Sequence, residues 1–438
     1  MERELLQQAE QAIEQARRAG ANDAIARVRD ENSTEYTYRD GNIEQVQQSA
    51  TRGLSIQLYV NGRYSTHQTS DLRAASVARF IEDAVALTQH LAEDPHRVIP
   101  DAALYEDRPD TDLQSDDVVV RDLPREACID WLKKMDAVTH TDDRVVSATA
   151  DAYYGWNTSA RVSSNGFSGI QSGTSIGYGA SVTLKEGEHG RPEDHRYVRA
   201  HHLSDLPDPE VVAREGLDRA LSRLGSEKAP SGRATMVVDP EAGGRLIGAI
   251  WGALQARSVQ QNRSFLRNKK DAQIACSLLT VTDDPLMVRG LASRHYDGEG
   301  ISAKRRCVVD QGVLQMYYVD TYYGRKLGWE PTTGMSSNLV FAPGEKDLNG
   351  LIAEIEDGFH VTSWLGGNAD TTTGDFSYGF RGFRIANGQR TGAVSEMNIA
   401  GNFLDLLQNL VAVGNDPNVY SSVQTPTLIF DNVAFSGK

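Results

Sequence analysis

Residues 236–257 read MVVDPEAGGRLIGAIWGALQAR. The apolar run Met236–Val238 predicts a short buried strand. Asp239, Pro240 and Glu241 then offer a capping side chain, a fixed φ and an acid where a helix N-terminus uses them. From Arg245 the pattern is helical: Leu246, Ile247, Ile250, Trp251 and Leu254 share one stripe, and Gly248, Ala249, Gly252, Ala253 and Ala256 share the opposite one. The helix therefore has a bulky core face and a bare face. A bare face lets another backbone approach, or it lines a space. Glycine costs about 1 kcal/mol relative to alanine in a helix interior, so the expectation is that tight packing of this face offsets the cost.

Working outward, GSEKAPSG at 225–232 is the clearest boundary in the chain. It divides an α+β domain, 1–228, from a β-rich domain, 229–438. In the first, Glu2–Arg18 is an amphipathic helix closed by Gly20. A β-meander follows, with Asp40-Gly41 and Asn61-Gly62 as hairpin turns between alternating segments. Helices are expected over 71–90, 125–138 and 208–224, a long Asp/Pro-rich connection over 91–122, and more β pattern over 144–200. In the second, strands are expected over 303–309, 313–318, 339–342, 359–365, 376–386, 391–396 and 425–433. Helices are expected over 246–257, 347–356 and 399–413. The fold class is α+β: β-meanders and helices first, then a mainly antiparallel β domain with a few helices.

The chain has 438 residues, enough for two or three domains, and a formal net charge of −15. That acidity argues against nucleic acid or an anionic membrane as partner. The N-terminal segment lacks the apolar core of a signal peptide. Cys128, Cys276 and Cys307 are odd in number and widely spaced, which suggests a reducing compartment. The expectation is a cytoplasmic protein.

Gly173-Thr174-Ser175-Ile176-Gly177 matches GxSxG, but a nucleophile elbow requires a strand, a sharp turn and a helix. Here the alternating β pattern runs straight on. His189, His195, His201 and His202 lie among acidic residues, yet their spacing fits no compact zinc pair and Gly187, Gly190 and Pro192 mark an exposed turn. Asp375 and Ser377 suit a site lining or a turn entering a strand.

Several stretches together resemble one family. They are Asp40-Gly41 to Glu44 with Gly53–Val60, then Thr332–Leu339 (TTGMSSNL), and Thr373–Ser377 followed by Gly379, Gly382, Phe383 and Ile385–Gly388. Asn398–Asn402 (NIAGN) and Thr425–Leu428 (TPTL) complete them. In this order the chain resembles, along essentially its whole length, the PmbA/TldD family of gyrase-modulator proteins now understood as peptidases. The resemblance implies two branches. TldD-like members carry an HExxxH helix that, with a late cysteine, binds catalytic zinc. TldE (PmbA)-like members lack it and pair with a TldD-like subunit.

Gly248, Ala249 and Ala253 stand at the matching His, Glu and His positions, and 411–424 contains no cysteine. Glycine and alanine neither ligate a metal nor accept a proton, whereas zinc peptidase chemistry needs three ligands and a base. The resemblance is therefore to the TldE branch. It implies a non-catalytic subunit of a heterodimeric zinc metallopeptidase acting on small unfolded peptides, with no cofactor in this chain and zinc in the partner. Strand addition is one way to hold such a peptide. Ser336, Ser337 and Asn338, entering the strand at Leu339, are the expected edge, with Asp375 and Ser377 as further substrate contacts. Two rivals stay open: an autonomous hydrolase with another site, such as the 189–202 histidines, and a non-enzymatic homodimeric peptide-binding scaffold.

Overall fold

Long antiparallel hairpins organise the N-terminal half of the computed structural model, which describes residues 2–438. After helix α1 (Glu2–Arg18) come β1 (Asp23–Arg39), β2 (Asn42–Val60) and β3 (Arg63–Thr69), then α2 (Ala74–Thr88). Beyond the connection lie α3 (Val118–Arg121), α4 (Arg125–Thr139), β4 (Val145–Ser163), β5 (Ser168–Leu184), β6 (Glu193–Ala200) and α5 (Pro209–Leu221). The six strands form one antiparallel sheet in the order β3-β2-β1-β4-β5-β6. Helices α1 and α2 bury Leu5, Ile13 and Ile81 against one end of the sheet. Helices α4 and α5 bury Leu132, Met135 and Val212 against the other end.

The turns follow from local chemistry. At Asp40-Gly41, Asn61-Gly62 and Asn387-Gly388 both central residues have positive φ, between 46° and 86°. That is the two-residue turn whose twist matches paired strands. Residues 30–32 and 50–52 pair with each other, so β1 and β2 each run as one long strand.

The C-terminal half opens with β7 (Gly232–Val238) and α6 (Pro240–Ala253). One sheet contains β8 (Val281–Asp284), β9 (Arg306–Asp310), β10 (Val313–Leu314), β11 (Asn338–Phe341) and β16 (Val423–Gln424), in the order β10-β9-β8-β11-β16. The other contains β12 (Asp357–Ala369), β13 (Asp375–Ala386), β14 (Gln389–Asn402), β15 (Leu410–Val413) and β17 (Leu428–Ser436), in the order β14-β13-β12-β7-β17-β15. An extra pairing of Asn398 and Ile399 with Ser436 and Phe435 joins β14 to β17 and curls this sheet toward closure. The fold is thus α+β, with a mostly antiparallel C-terminal domain and two parallel pairings, β7–β12 and β11–β16.

The helix expected over 399–413 is resolved differently. Residues up to Asn402 finish β14, Phe403–Gln408 is a short helix, and β15 follows. Asn402 carries the change: its side chain accepts from Leu404 N at 3.0 Å and so caps the short helix. Among the described residues no helix is long and apolar enough to cross a membrane.

Candidate functional site

Helix α6 starts as its chemistry requires. Asp239 accepts from Glu241 N at 2.9 Å, and Pro240 occupies the first turn. Leu246, Ile247, Ile250 and Trp251 are buried in the main core with Met236, Val238, Phe359 and Val361. Three polar bonds fix the helix further. Trp251 Nε1 donates to Tyr318 Oη at 3.1 Å, Trp364 Nε1 to Ala242 O at 2.9 Å and Ser264 Oγ to Ala253 O at 2.6 Å.

The bare face departs from the packing expectation. Gly248 is exposed, and a Cβ built on it meets nothing within 4 Å; the same holds for the Cβ position of Gly244. At Gly252 the nearest atom is Thr371 Cγ2, 3.9 Å away, which is ordinary contact. Only Ala253 and Ala256 are buried. The physical reason is a division of roles. Gly243, one turn earlier, is the close-packed glycine, with Thr425 Cβ 2.8 Å from its Cβ position. The middle of the helix instead faces open space beside the β12–β13 hairpin, where Arg245 lies over the Tyr378 ring at 5.3 Å and reaches Gly367 O at 3.3 Å.

The other expected contacts separate. Strand β11 is not a free edge: it pairs with β8 on one side and with β16 on the other. Ser337 is buried and donates through its amide, at 3.0 Å, and its hydroxyl to Asp283 Oδ1. Asn338 is 0 % exposed. Its amide nitrogen donates to Asp284 O and Ser293 Oγ, each at 2.9 Å, and its oxygen accepts from Ala292 N at 2.9 Å. Ser336 offers its carbonyl to Arg294 at 3.1 Å. These groups tie β11 to β8 and to the loop that follows it. Burial and the adjacent Asp283 carboxylate push the Tyr318 phenol up, which places Tyr318 between Asp283 and Trp251.

Asp375 and Ser377 are exposed on one face of β13, while Phe376 and Tyr378 turn inward to the core that α6 shares. They therefore lie on the side of the sheet away from α6. Hydrogen bonds from Asn402 and Thr373 hold the Asp375 carboxyl below its ordinary range, the pattern of a turn lock.

Ser175 sits in the middle of β5, paired with Gly155, so the GxSxG match is plain strand. The histidines disperse. His189 is at an exposed turn, His201 contacts Thr174 O and Gly290 O, and His202 contacts Gln114 O. Among the described residues no three His, Cys, Asp or Glu side chains converge as metal ligands. The zinc of the HExxxH branch does not fit the residues on α6, since Gly248, Ala249 and Ala253 present no lone pair.

A buried group that the sequence pattern did not single out lies at the N-terminal end of α6. His360 on β12 is 2 % exposed, with Nε2 3.3 Å from Asp239 Oδ2 and Nδ1 accepting from Arg390 Nε at 3.2 Å. Burial holds its imidazole below the ordinary value. Nearby, Glu241 accepts from Arg219 at 2.6 and 2.8 Å and also from Arg196, tying α6 to α5 and β6. No local motif marks these residues, because their partners are distant in sequence.

Comparison with known proteins gives this architecture its class, that of the metallopeptidase-like chains. Family models described as PmbA/TldA metallopeptidase domain 1, central domain and C-terminal domain match residues 24–88, 119–224 and 231–437. The chain belongs to the PmbA/TldD family, on its PmbA or TldE-like branch. It is 29% identical to metalloprotease PmbA of Escherichia coli O157:H7, over 91% of this chain and 89% of that one. A crystal structure from Bacteroides thetaiotaomicron, of a protein described as a candidate modulator of DNA gyrase, is 37% identical with a TM-score of 0.96, covering 99% of this chain and 98% of that one. TldE from Thermococcus kodakarensis shares the fold, with a TM-score of 0.85 at 18% identity and coverage of 98% and 100%.

Proposed function

We propose that this chain is the non-catalytic, TldE-like subunit of a TldD/TldE-type zinc metallopeptidase heterodimer that processes or degrades small unfolded peptides in the cytoplasm. One observation carries the reading. The helix that resembles the HExxxH helix keeps its cap, its core stripe and its anchoring bonds, but offers Gly248, Ala249 and Ala253 where chemistry needs two ligands and a base. The zinc and the base belong to a TldD-like partner, and no metal resides here. This chain contributes walls and alignment. Positioning by groups that do no chemistry can supply up to about 7–11 kcal/mol of a barrier in the most favourable systems.

The open face of α6 at Gly248 is the surface on which a peptide, or the partner's catalytic helix, meets this subunit. The test is a peptide-cleavage assay on each chain alone and on the mixture, with elemental analysis of each. Cleavage by the mixture alone, with zinc only in the partner, is the expected outcome. Chelator-sensitive cleavage by this chain by itself overturns the reading.

A further inference from the structure

A largely enclosed cavity of about 100 Å³ lies where the N-terminal sheet, the connection after α2 and the C-terminal domain meet. Its polar lining is Gln57 and Tyr59 on β2, Arg161 on β4, Arg97 in the connection, and Glu299 and Tyr322 in the C-terminal domain.

Arg161 is the anomaly. It is 4% exposed, and its guanidinium makes no hydrogen bond or ion pair with any described residue; its Nε is enclosed without a partner. A guanidinium stays charged in a protein; the Asp297 and Glu299 carboxylates favour that charge from nearby but accept no hydrogen bond from it, and buried donors left without acceptors are costly. An acceptor in the cavity, water or an anion, completes its hydrogen bonding. Arg97 adds a second positive charge. It stacks on the rings of Tyr322, at 3.5 Å, and Tyr64, at 4.7 Å, and forms no ion pair among the described residues.

The remaining lining groups also donate. The Tyr59 hydroxyl and the Gln57 amide line the same space. Glu299 accepts from Thr321 N at 2.8 Å and Thr321 Oγ1 at 2.9 Å, both on one oxygen. Burial above all, then the Asp297 and Asp320 carboxylates, push its acid up to about 7 against the Thr321 bonds. Near neutrality a large fraction of it is a neutral O–H donor. Two cations and several donors thus face a space that takes roughly three waters at about 30 Å³ each, or one small anion.

We propose that this cavity binds a tetrahedral oxyanion, phosphate or sulfate, held by Arg161 and Arg97 at the junction of the N-terminal sheet and the C-terminal domain. The anion gives the guanidinium its missing acceptors through charge-assisted bonds. It also bridges the N-terminal sheet, the connection after α2 and the C-terminal domain, all of which line the cavity. Binding depends on pH through Glu299, whose neighbours are Asp297, Asp320, Arg161, Arg97, Tyr59 and Tyr105. The carboxylate repels the anion and the neutral acid does not, so affinity rises as pH falls through 7.

Sulfate is the cleaner probe, because it does not titrate between pH 6 and 8. Calorimetric titration of the full chain with sodium sulfate, and separately with phosphate, against sodium chloride of equal ionic strength, should show one saturable site, tighter at pH 6 than at pH 8. Arg161→Gln should weaken it by about tenfold or more. Glu299→Gln, which keeps the side-chain shape, should bind at pH 8 as the wild type does at pH 6. The absence of saturable binding at pH 6 in both wild type and Glu299→Gln overturns the proposal and leaves the cavity to water. Binding indifferent to Arg161→Gln overturns it too. Should Arg161→Gln fail to fold, Glu299→Gln decides: no gain in sulfate affinity at pH 8 refutes the site.

Discussion

Gly248→Ala should stabilise the protein. The residue lies inside α6 (Pro240–Ala253), exposed, and a Cβ there meets nothing within 4 Å. The substitution therefore removes no contact and adds no clash. What changes is backbone freedom in the unfolded chain and helix propensity, worth about 0.5–1 kcal/mol for glycine to alanine at a compatible helical site. Gly244 is equally open, so the double variant should gain about 1–2 kcal/mol if the sites are independent. Gly243 is the internal control. Its Cβ would sit 2.8 Å from Thr425 Cβ, and overpacking of this kind costs about 1–3 kcal/mol. Urea denaturation gives the free energies directly. In thermal melts each kcal/mol moves the midpoint by about 2–4 °C for a domain of 150–250 residues. Gly248→Ala and Gly243→Ala should shift in opposite directions. Loss of stability in both would refute the open face and restore the tightly packed bare face that the sequence pattern suggests.

Ala253→His should lose at least about 1–3 kcal/mol, because the alanine is 0 % exposed, whereas Gly248→His should be close to neutral; paired denaturation curves check both. Asn338→Leu should cost upwards of about 2 kcal/mol in denaturation, since it strands Ala292 N, Asp284 O and Ser293 Oγ. Glu241→Gln should cost about 1–2 kcal/mol after allowing for its part exposure, and a double-mutant cycle with Arg219→Gln should recover the coupling. His360 sets a pH dependence. Burial holds its folded-state pKa below the unfolded value of about 6.5, so below that pH the unfolded chain takes up a proton the folded one refuses. Stability should fall as pH drops from 7 toward 5, and His360→Gln should flatten that slope.

What could be read from the sequence was local. The Asp239-Pro240-Glu241 start of α6 and the turns at Asp40-Gly41, Asn61-Gly62 and Asn387-Gly388 are decided by residues within a few positions of each other. The ends of elements were less legible. Asn402 both finishes a strand and caps a helix, so apolar periodicity across 399–413 cannot separate the two. The environment of the bare face was not legible at all. Whether Gly248 is packed or open depends on where the β12–β13 hairpin and Thr371 come to rest. The edge expected at Ser336–Asn338 failed for the same reason: β16, far along the chain, covers β11. Arg161 facing Glu299, and His360 facing Asp239, likewise leave no periodic trace.

These contrasts separate scaffold from chemistry within one helix. The cap at Asp239, the core stripe, the Trp251–Tyr318 bond and the Trp364–Ala242 bond all hold α6 in place, and each is made on its buried side or at its start. Tyr318, which Trp251 bonds, lies beside Asp283, and Ser337 bonds that carboxylate in turn. None of those groups reaches the open face. What faces open space is Gly244, Gly248 and, nearly so, Gly252, the positions where a side chain would cost least to add. A helix whose only role was to fill a core would gain stability from alanine at Gly244 and Gly248. Its glycines make structural sense if something outside this chain approaches the backbone there. On the proposed function, a peptide strand or a partner's catalytic helix would meet that requirement at the open middle of α6.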